Sequence, residues 1–237
     1  MGKSIINVAS GMDDLKIVCG YDITASDNGD FPIYNELENC KEDIDVIIDF
    51  SKPSNLNGLL EYSVNNNIAL VIATTGFSEE EEHKIKEASK DISIFQSYNT
   101  SYGIQMVTKI LRQVAKEFYN AGYDIEILEK HHNQKIDAPS GTAKLLYEVM
   151  EEEIKEITPI YDRSSIHEKR KHEEIGIQAL RGGTIFGEHT VMFAGIDEII
   201  EIKHTALSKE VFVQGAISAA YALIDKENGL YTLKSLY

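Results

Sequence analysis

The chain has 237 residues, 43% of them hydrophobic and 26% charged, an ordinary balance for a globular protein with one large core or two modest ones. Its formal net charge of −16 argues against a nucleic-acid partner, which needs a basic face. The short apolar runs and the absence of a basic-then-apolar start argue against membrane spanning and secretion and place the protein in the cytoplasm. In so acidic a chain, any site for an anionic ligand must gather its positive charge locally, which makes clustered basic residues informative. Cys19 and Cys40 show no metal-like spacing and read as two thiols in a reduced compartment, with no metal site.

Up to about residue 100 the pattern alternates between strand and helix. Residues 15–20 form a short apolar strand, and 44–50 a near-continuous apolar run suited to a strand buried on both faces of a parallel sheet. A helix follows from about Pro53, with Leu56, Leu59, Leu60 and Val64 on one side. Residues 68–72 make a third strand, closed by Thr74-Thr75-Gly76. Ser78 with Glu81 predicts a capping box opening a charged helix, whose Glu79–Glu82 run is a solvated first turn favoured by the helix dipole. A fourth strand covers 92–95. Strands and helices at this spacing predict a Rossmann-like, doubly wound α/β domain.

Beyond residue 100 the character changes. Ile104, Val107, Leu111, Val114, Ala115 and Phe118 recur at three- and four-residue steps, as on a long amphipathic helix. Segments 123–130, 174–181, 184–194 and 198–205 are rich in β-branched residues, with one helix at about 142–154 between them. This order predicts an α+β domain with a mostly antiparallel sheet. Residues 162–174, charged and aperiodic, read as a mobile loop. A last helix at about 208–224 is expected to return to the first domain, giving a dinucleotide-binding domain of residues 1–101 and 209–237 and a substrate-binding, oligomerising domain of 102–208.

The densest chemical signal runs from Glu129 to Ala143. Pro139 disfavours helix at Ala138, and Ser140-Gly141-Thr142 leads into the periodic Leu145, Leu146, Val149 and Met150. The N–H groups of that first helical turn, with the Thr142 hydroxyl, make a ready carboxylate site. His131 offers an imidazole, whose ordinary pKa of about 6.5 suits proton exchange at neutral pH. Lys135 supplies positive charge or a proton. Adjacent histidines on a strand face opposite ways, so one of His131 and His132 could be a surface residue. A His-His pair with no cysteine and no spaced third ligand is a weak zinc signal.

The string His-His-x-x-Lys-x-Asp-Ala-Pro-Ser-Gly-Thr-Ala at 131–143 resembles the signature of the 4-hydroxy-tetrahydrodipicolinate reductase (dihydrodipicolinate reductase) family. Asp49-Phe50-Ser51 with Pro53, Ala73-Thr74-Thr75-Gly76, Asn99-x-Ser101-x-Gly103, Arg181-Gly182-Gly183, Gly187-Glu188-His189 and Gly229-Leu230-Tyr231 resemble further family segments in the right order. The resemblance implies a two-domain, usually tetrameric enzyme of diaminopimelate and lysine biosynthesis. Such an enzyme reduces a cyclic dicarboxylic imine with NADH or NADPH. It further implies His131 as proton donor and acceptor and Lys135 as proton donor, with His132 and the Gly141-Thr142 backbone on the substrate carboxylates. Ala73, Thr74 and Thr75, with Ser97, Tyr98, Asn99 and Thr100, would line the cofactor. Asp22 falls at the end of the second family strand, where a carboxylate hydrogen-bonds ribose hydroxyls and repels a phosphate, which favours NADH. His189 and His204 match family positions on strands, where a histidine is more often structural than catalytic. Arg181 could reach a substrate carboxylate or pair with a nearby glutamate.

The family pattern opens with a strand and a Gly-x-x-Gly-x-Met-Gly loop, whereas this sequence opens with Met1-Gly2-Lys3 and runs into the following helix through Ile5, Ile6 and Ala9. In a doubly wound sheet that strand is central. Its loss would outweigh the roughly 5–15 kcal/mol that holds a domain together, so the expectation is a start lying some ten residues upstream. The competing reading is a short, non-catalytic relative that binds dicarboxylate without dinucleotide. A third keeps the fold but takes another imine or semialdehyde. Smaller departures are Ala73 for the first Gly of the Thr-Thr turn, Tyr98 and Thr100 around Asn99, and Lys209 where Arg is usual.

Overall fold

A computed structural model describes residues 1–24 and 30–236. The chain forms two compact units, Met1–Thr100 with Phe212–Tyr237, and Ser101–Val211.

In the first unit, β3 (Val46–Asp49), β4 (Ala69–Ile72), β5 (Ser93–Gln96) and β11 (Gly229–Tyr231) form a parallel sheet in the order β11-β5-β4-β3. The apolar runs are strands because both faces are covered. On one side Leu56, Leu59 and Leu60 of α2 (Leu56–Asn66) and Ile85 of α3 (Glu79–Ala88) pack on Leu70, Ile72 and Ile94. On the other, Ala216, Ala219 and Leu223 of α6 (Glu210–Ile224) pack on Val71 and Phe95. From Phe212 onward α6 lies in the first unit. The predicted capping box is present: the Ser78 hydroxyl accepts from Glu81 N–H, and the Glu81 carboxylate accepts from Ser78 N–H at 2.7 Å. Helix α2 closes on Asn67 in the left-handed region, φ 54°, a conformation asparagine tolerates better than most residues.

The other two strands of this unit stand apart. β1 (Gly20–Tyr21) pairs in parallel only with β2 (Ile33–Tyr34), and residues 15–19, expected as strand, have no ladder. Among the described residues no strand pairs with both pieces of sheet. The edge left on β3 shows in its packing: Val46, Ile47 and Ile48 are half-buried, whereas Leu70, Val71 and Ile72 of β4 are fully buried. Helix α1 (Gly2–Ala9) turns Ile5, Ile6 and Ala9 inward, with Ala9 buried.

The cysteines, read as unrelated thiols, meet here. Cys19 Sγ lies 3.0 Å from Cys40 Sγ. Burial, the hydrogen bond with Cys40 and the charges of Cys40 and Glu42 push the Cys19 thiol up to about 12. Their spacing gave no hint because β1 and the 3₁₀ turn Leu37–Asn39 bring the two segments together in space.

The second unit is a five-stranded sheet covered on one face by two helices. α4 (Tyr102–Asn120) supplies Val107, Leu111 and Ala115, and α5 (Gly141–Glu153) supplies Ala143, Leu146, Val149 and Met150. They close over Ile125 and Ile127 of β6 (Asp124–His131), Ile175 and Ile177 of β8 (Glu174–Arg181) and Val191 and Phe193 of β9 (Glu188–Ala194). Burying a side chain such as Leu111 completely contributes about 1.5–3 kcal/mol. The strand order, with β7 (Thr158–Ile160) and β10 (Ile199–Thr205) at the edges, is β10-β9-β6-β8-β7. As expected, most of this sheet's ladder is antiparallel: β10/β9 and β9/β6 are antiparallel, while β6/β8 and the short β8/β7 are parallel. The chain leaves β6 and crosses through α5 before re-entering the sheet, and a helical crossover returns it in the same direction.

Residues 162–174, expected as a mobile loop, are tied down. Arg170 donates from Nε to Glu126 at 2.9 Å, from Nη1 to Asp124 at 2.6 Å and from Nη2 to the Ile125 carbonyl at 3.1 Å. Arg163 pairs with Glu174, and the His172 ring stacks on Tyr119 at 4.1 Å. One guanidinium with five donors holds the segment against β6 without regular structure.

Candidate active site

Strand β6 alternates half-buried and buried residues along its whole length, so Ile125, Ile127, Glu129 and His131 share its core-facing side. Two apolar residues seat that side under α4 and α5, and two polar ones end it. Burying Glu129 completely demands partners for both carboxylate oxygens. Oε2 accepts from His131 Nδ1–H at 2.6 Å and Arg181 Nη1 at 2.7 Å. Oε1 accepts from Arg181 Nη2 at 2.7 Å and Ser140 N–H at 3.0 Å. Burial works to raise the Glu129 pKa, but the hydrogen bonds from His131, Arg181 and Ser140 outweigh it and hold the carboxyl down at about 2. Its charge is therefore permanent at neutral pH.

That charge fixes the neighbouring imidazole. With Nδ1–H donated to Glu129, Nε2 of His131 is the nitrogen left for proton exchange. A Cβ at position 187 would lie 3.1 Å from this atom, so glycine there leaves His131 Nε2 room. Of the two histidines, His131 is the buried one and His132, just past the strand, is half-buried.

The turn after β6 is pinned to β8, with Gly182 N–H donating to the His131 carbonyl at 2.9 Å and Asn133 N–H to the Gly183 carbonyl at 3.2 Å. It ends on Lys135, whose Nζ lies 2.8 Å from Asp137. Burial works to raise the Asp137 pKa, and the Lys135 ammonium more than offsets it. Arg181 Nη2 also donates to the Asp137 carbonyl at 2.7 Å. Of the two partners considered for Arg181, the structure gives it the glutamate. A continuous network therefore runs from His131 through Glu129, Arg181 and Asp137 to Lys135.

The chain then passes the cis Ala138–Pro139 bond and enters α5 at Ser140. The Ser140 hydroxyl accepts from Ala143 N–H at 3.2 Å and shares a hydrogen bond of 3.0 Å with His189 Nε2. Gly141 and Thr142 open the helix, whose positive dipole end favours an anion. Burial above all lowers His189 to about 3, so it is neutral. Its ring stands edge-on to His131 at 5.1 Å. His204 holds the matching place at α4, 3.3 Å from the Ser101 hydroxyl that caps that helix. A Cβ on Gly103 would come within 2.7 Å of the His204 ring, which explains the glycine in Asn99-x-Ser101-x-Gly103.

In the first unit the expected cofactor residues all follow the carboxyl ends of parallel strands, the edge where open α/β sheets bind ligands. Ala73, Thr74 and Thr75 follow β4, Ser97 to Thr100 follow β5, and Asp22 follows β1. Thr74 is buried, and its hydroxyl has no partner among the described residues. Beside it Thr75 is exposed and Gly76 takes φ +88°. The β5 loop is shaped by its own side chains: Ser97 Oγ donates to the Asn99 carbonyl at 2.7 Å, and Thr100 Oγ1 donates to the Phe212 carbonyl at 2.6 Å. Thr100 thus serves as a tie to the returning chain. Tyr98 is half-exposed, with its hydroxyl on Glu82 at 2.9 Å. Asp22 is exposed and accepts from Thr24 N–H and Thr24 Oγ1, both at 2.9 Å.

Sequence reasoning assigned no role to Glu129, although a carboxylate two residues before His131 on the same strand face was a readable signal. Ser140 as the link to His189, and Glu82 as the anchor of Tyr98, depend on contacts that spacing does not reveal.

Residues 1–100 match the family model described as dihydrodipicolinate reductase, N-terminus, and residues 103–236 the one described as dihydrodipicolinate reductase, C-terminus. The 4-hydroxy-tetrahydrodipicolinate reductase of Exiguobacterium sibiricum is 56% identical over 206 residues, 87% of this chain and 82% of that protein. The protein of the same name from Clostridium novyi is 47% identical over 233 residues, 98% of this chain and 92% of that one. Among solved structures, the dipicolinate-bound dihydrodipicolinate reductase from Paenisporosarcina sp. TG-14 superposes with a TM-score of 0.75 at 21% identity, covering 98% of this chain and 92% of that one. With matches running through both units, the chain belongs to the dihydrodipicolinate reductase family.

Proposed function

We propose that this chain reduces 4-hydroxy-tetrahydrodipicolinate to tetrahydrodipicolinate with NADH or NADPH, in the diaminopimelate and lysine pathway. The observation that carries the reading is the Glu129–His131 pair beside Lys135 and the start of α5, in a family whose named relatives are reductases of that compound.

The unit of Met1–Thr100 and Phe212–Tyr237 takes the dinucleotide, and the Ser101–Val211 unit takes the substrate. The buried Thr74 hydroxyl, which has no partner among the described residues, supports this and, with Ala73, Thr75, Ser97, Tyr98 and Asn99, fits a dinucleotide. When bound, the nicotinamide supplies the hydride. A carboxylate such as Asp22 hydrogen-bonds ribose hydroxyls and repels a phosphate, which supports NADH over NADPH.

The substrate carboxylates bind at the α5 N-terminus through Gly141 and Thr142 N–H groups and at His132, beside the positive charge of Lys135 and Arg181. These cations answer the demand that a chain of net charge −16 places on an anion site. Lys135 leaves Asp137 to donate a proton to the substrate, and His131 exchanges one through Nε2. Glu129 touches no substrate; it holds the imidazole tautomer and steadies the charge when His131 is protonated. The protein works in the cytoplasm as a homotetramer. Ile199 and Ile200 on the edge strand β10, with Leu180 on β8, are exposed apolar residues that support association through this sheet. No helix among the described residues is long and apolar enough to cross a membrane.

The test is oxidation of NADH and of NADPH with substrate generated in situ, beside His131→Ala. Turnover that falls on the order of 10²-fold or more in the variant supports the assignment. A folded protein that binds dicarboxylate but turns over neither nucleotide would overturn it in favour of a non-catalytic relative.

A further inference from the structure

Cys19 and Cys40, 21 positions apart in sequence, lie with their sulfurs 3.0 Å apart. Glu42 joins them: its Oε2 accepts from Cys40 Sγ at 3.2 Å. The three ligand atoms, both Sγ and a carboxylate oxygen, lie within 4.8 Å of one another, and all three residues are half-buried. The surroundings hold this geometry. Tyr34 donates its hydroxyl to Glu42 Oε1 at 3.0 Å, Lys41 N–H donates to Oε2 at 3.0 Å, and Tyr62 donates to the Cys40 carbonyl at 3.5 Å.

We propose that Cys19, Cys40 and Glu42 form a binding site for a thiophilic divalent cation of the zinc class, with a fourth position open to water. Two thiolates and a carboxylate are a donor set that selects zinc-like ions over magnesium or calcium. Among the described residues, this is the group of three such side chains whose ligand atoms converge. The tyrosine on the outer carboxylate oxygen is the outer-shell support that metal ligands commonly have. A protein of net charge −16 attracts a cation, and partial exposure gives it a path in. Binding exchanges two thiol protons for the ion, with both protons released to water and no change of oxidation state. On a tetrahedral ion with Zn–S bonds of about 2.3 Å, two sulfurs stand about 3.8 Å apart, so the pair opens by less than an ångström.

The bound ion joins the residue leading into β1 to the end of the Leu37–Asn39 turn. It thereby staples the loop that contains β1, β2 and Asp22. The ribose role of Asp22 rests on the function proposed above; the cation site does not.

The experiment uses the full chain, kept reduced with a phosphine, stripped with a chelator and titrated first with Co²⁺ and then with Zn²⁺. One equivalent of Co²⁺ is expected to give thiolate charge-transfer absorption and the intense visible bands of a four-coordinate ion, both bleached by Zn²⁺. Zn²⁺ should also raise the thermal midpoint. Cys19→Ser and Cys40→Ser should each abolish the charge-transfer spectrum or strongly reduce it, and Glu42→Gln should weaken Co²⁺ binding at least about tenfold while leaving the thiolate band. Circular dichroism confirms that each variant is folded, with Cys→Ala replacing any Cys→Ser variant that is not. A reduced, folded wild type without thiolate charge transfer overturns the proposal, as does a spectrum unchanged in both cysteine variants. Thiols that cross-link with a low-molecular-weight disulfide while the reduced protein binds no ion also overturn it, and mark the pair as a redox couple. The titration needs neither nucleotide nor substrate, so its failure is separable from failure of the reductase reading.

Discussion

Replacing Glu129 by Gln keeps the shape of the side chain and removes the charge on which His131, Arg181 and Ser140 converge. Holding a carboxyl at about 2 against an ordinary 4.5 corresponds to roughly 3 kcal/mol, at about 1.4 kcal/mol per pKa unit. That figure sits at the lower end of the roughly 3–5 kcal/mol expected when one partner of a buried ion pair is removed. The sign follows from the depressed pKa. The contribution is complete above about pH 4.5 and is lost as pH falls through the folded value near 2. The variant should therefore be less stable than the parent by about 3 kcal/mol at pH 7, with the gap narrowing below about pH 4.5. Urea unfolding followed by circular dichroism measures the gap, and amide exchange along β6 assigns it to the Ser101–Val211 unit. Loss of the fixed tautomer should also lower kcat on the order of 10²-fold, with Glu129→Asp recovering part of it. A gap under about 0.5 kcal/mol, the scale of an ordinary surface substitution, would refute the reasoning, as would one that persists undiminished in acid.

Two further substitutions probe the first unit. Thr74→Val removes a buried hydroxyl that no group among the described residues satisfies, so stability to urea should hold or rise slightly, while NADH binding by fluorescence titration weakens about five- to tenfold, the equivalent of one hydrogen bond. Gly215→Ala places a Cβ 1.6 Å from the Thr100 carbonyl oxygen; backbone must move, so a loss of at least about 1–3 kcal/mol with weakened NADH binding is expected in thermal unfolding and titration. Lys135→Ala should lower kcat while circular dichroism and the melting midpoint stay near those of the parent, because Lys135 is paired only at its tip with the half-exposed Asp137.

Where the sequence was most legible, local chemistry decided the structure. The three- and four-residue steps of Ile104 to Phe118 became α4, Ser78 with Glu81 became a capping box, and Ser140 became the cap that starts α5. Strands of two or three residues such as β1, β2 and β11 escaped because period-two alternation needs more residues to show. The parallel pairing of β6 with β8 escaped because direction in a sheet depends on the route of the connection. In the candidate site, His131, Lys135 and the helix start were visible as a single string. What gives His131 its orientation was not: Glu129 draws on Arg181, fifty-two residues on, and a buried carboxylate cannot be recognised before its counter-charge is placed. The cysteines failed for the same reason, since a spacing of 21 residues carries no geometry until β1 and β2 pair.

The first unit is interrupted in sequence by the whole of the second. Strand β5 takes its partner β11, and Val71 and Phe95 their cover from α6, only from residues beyond Val211. On a ribosome, then, residues 1–100 emerge long before they can finish folding, while Ser101–Val211 has its full complement of strands and helices as soon as it is released. The second unit is free to fold early on contacts within one continuous stretch. The first must wait with the apolar edge of β5 exposed, and closes only across a long loop. Nascent chains arrested after β10 should accordingly protect the second unit from protease and leave the first open to it. The enzyme's slowest and most aggregation-prone interval is then the delay before its last twenty-odd residues arrive.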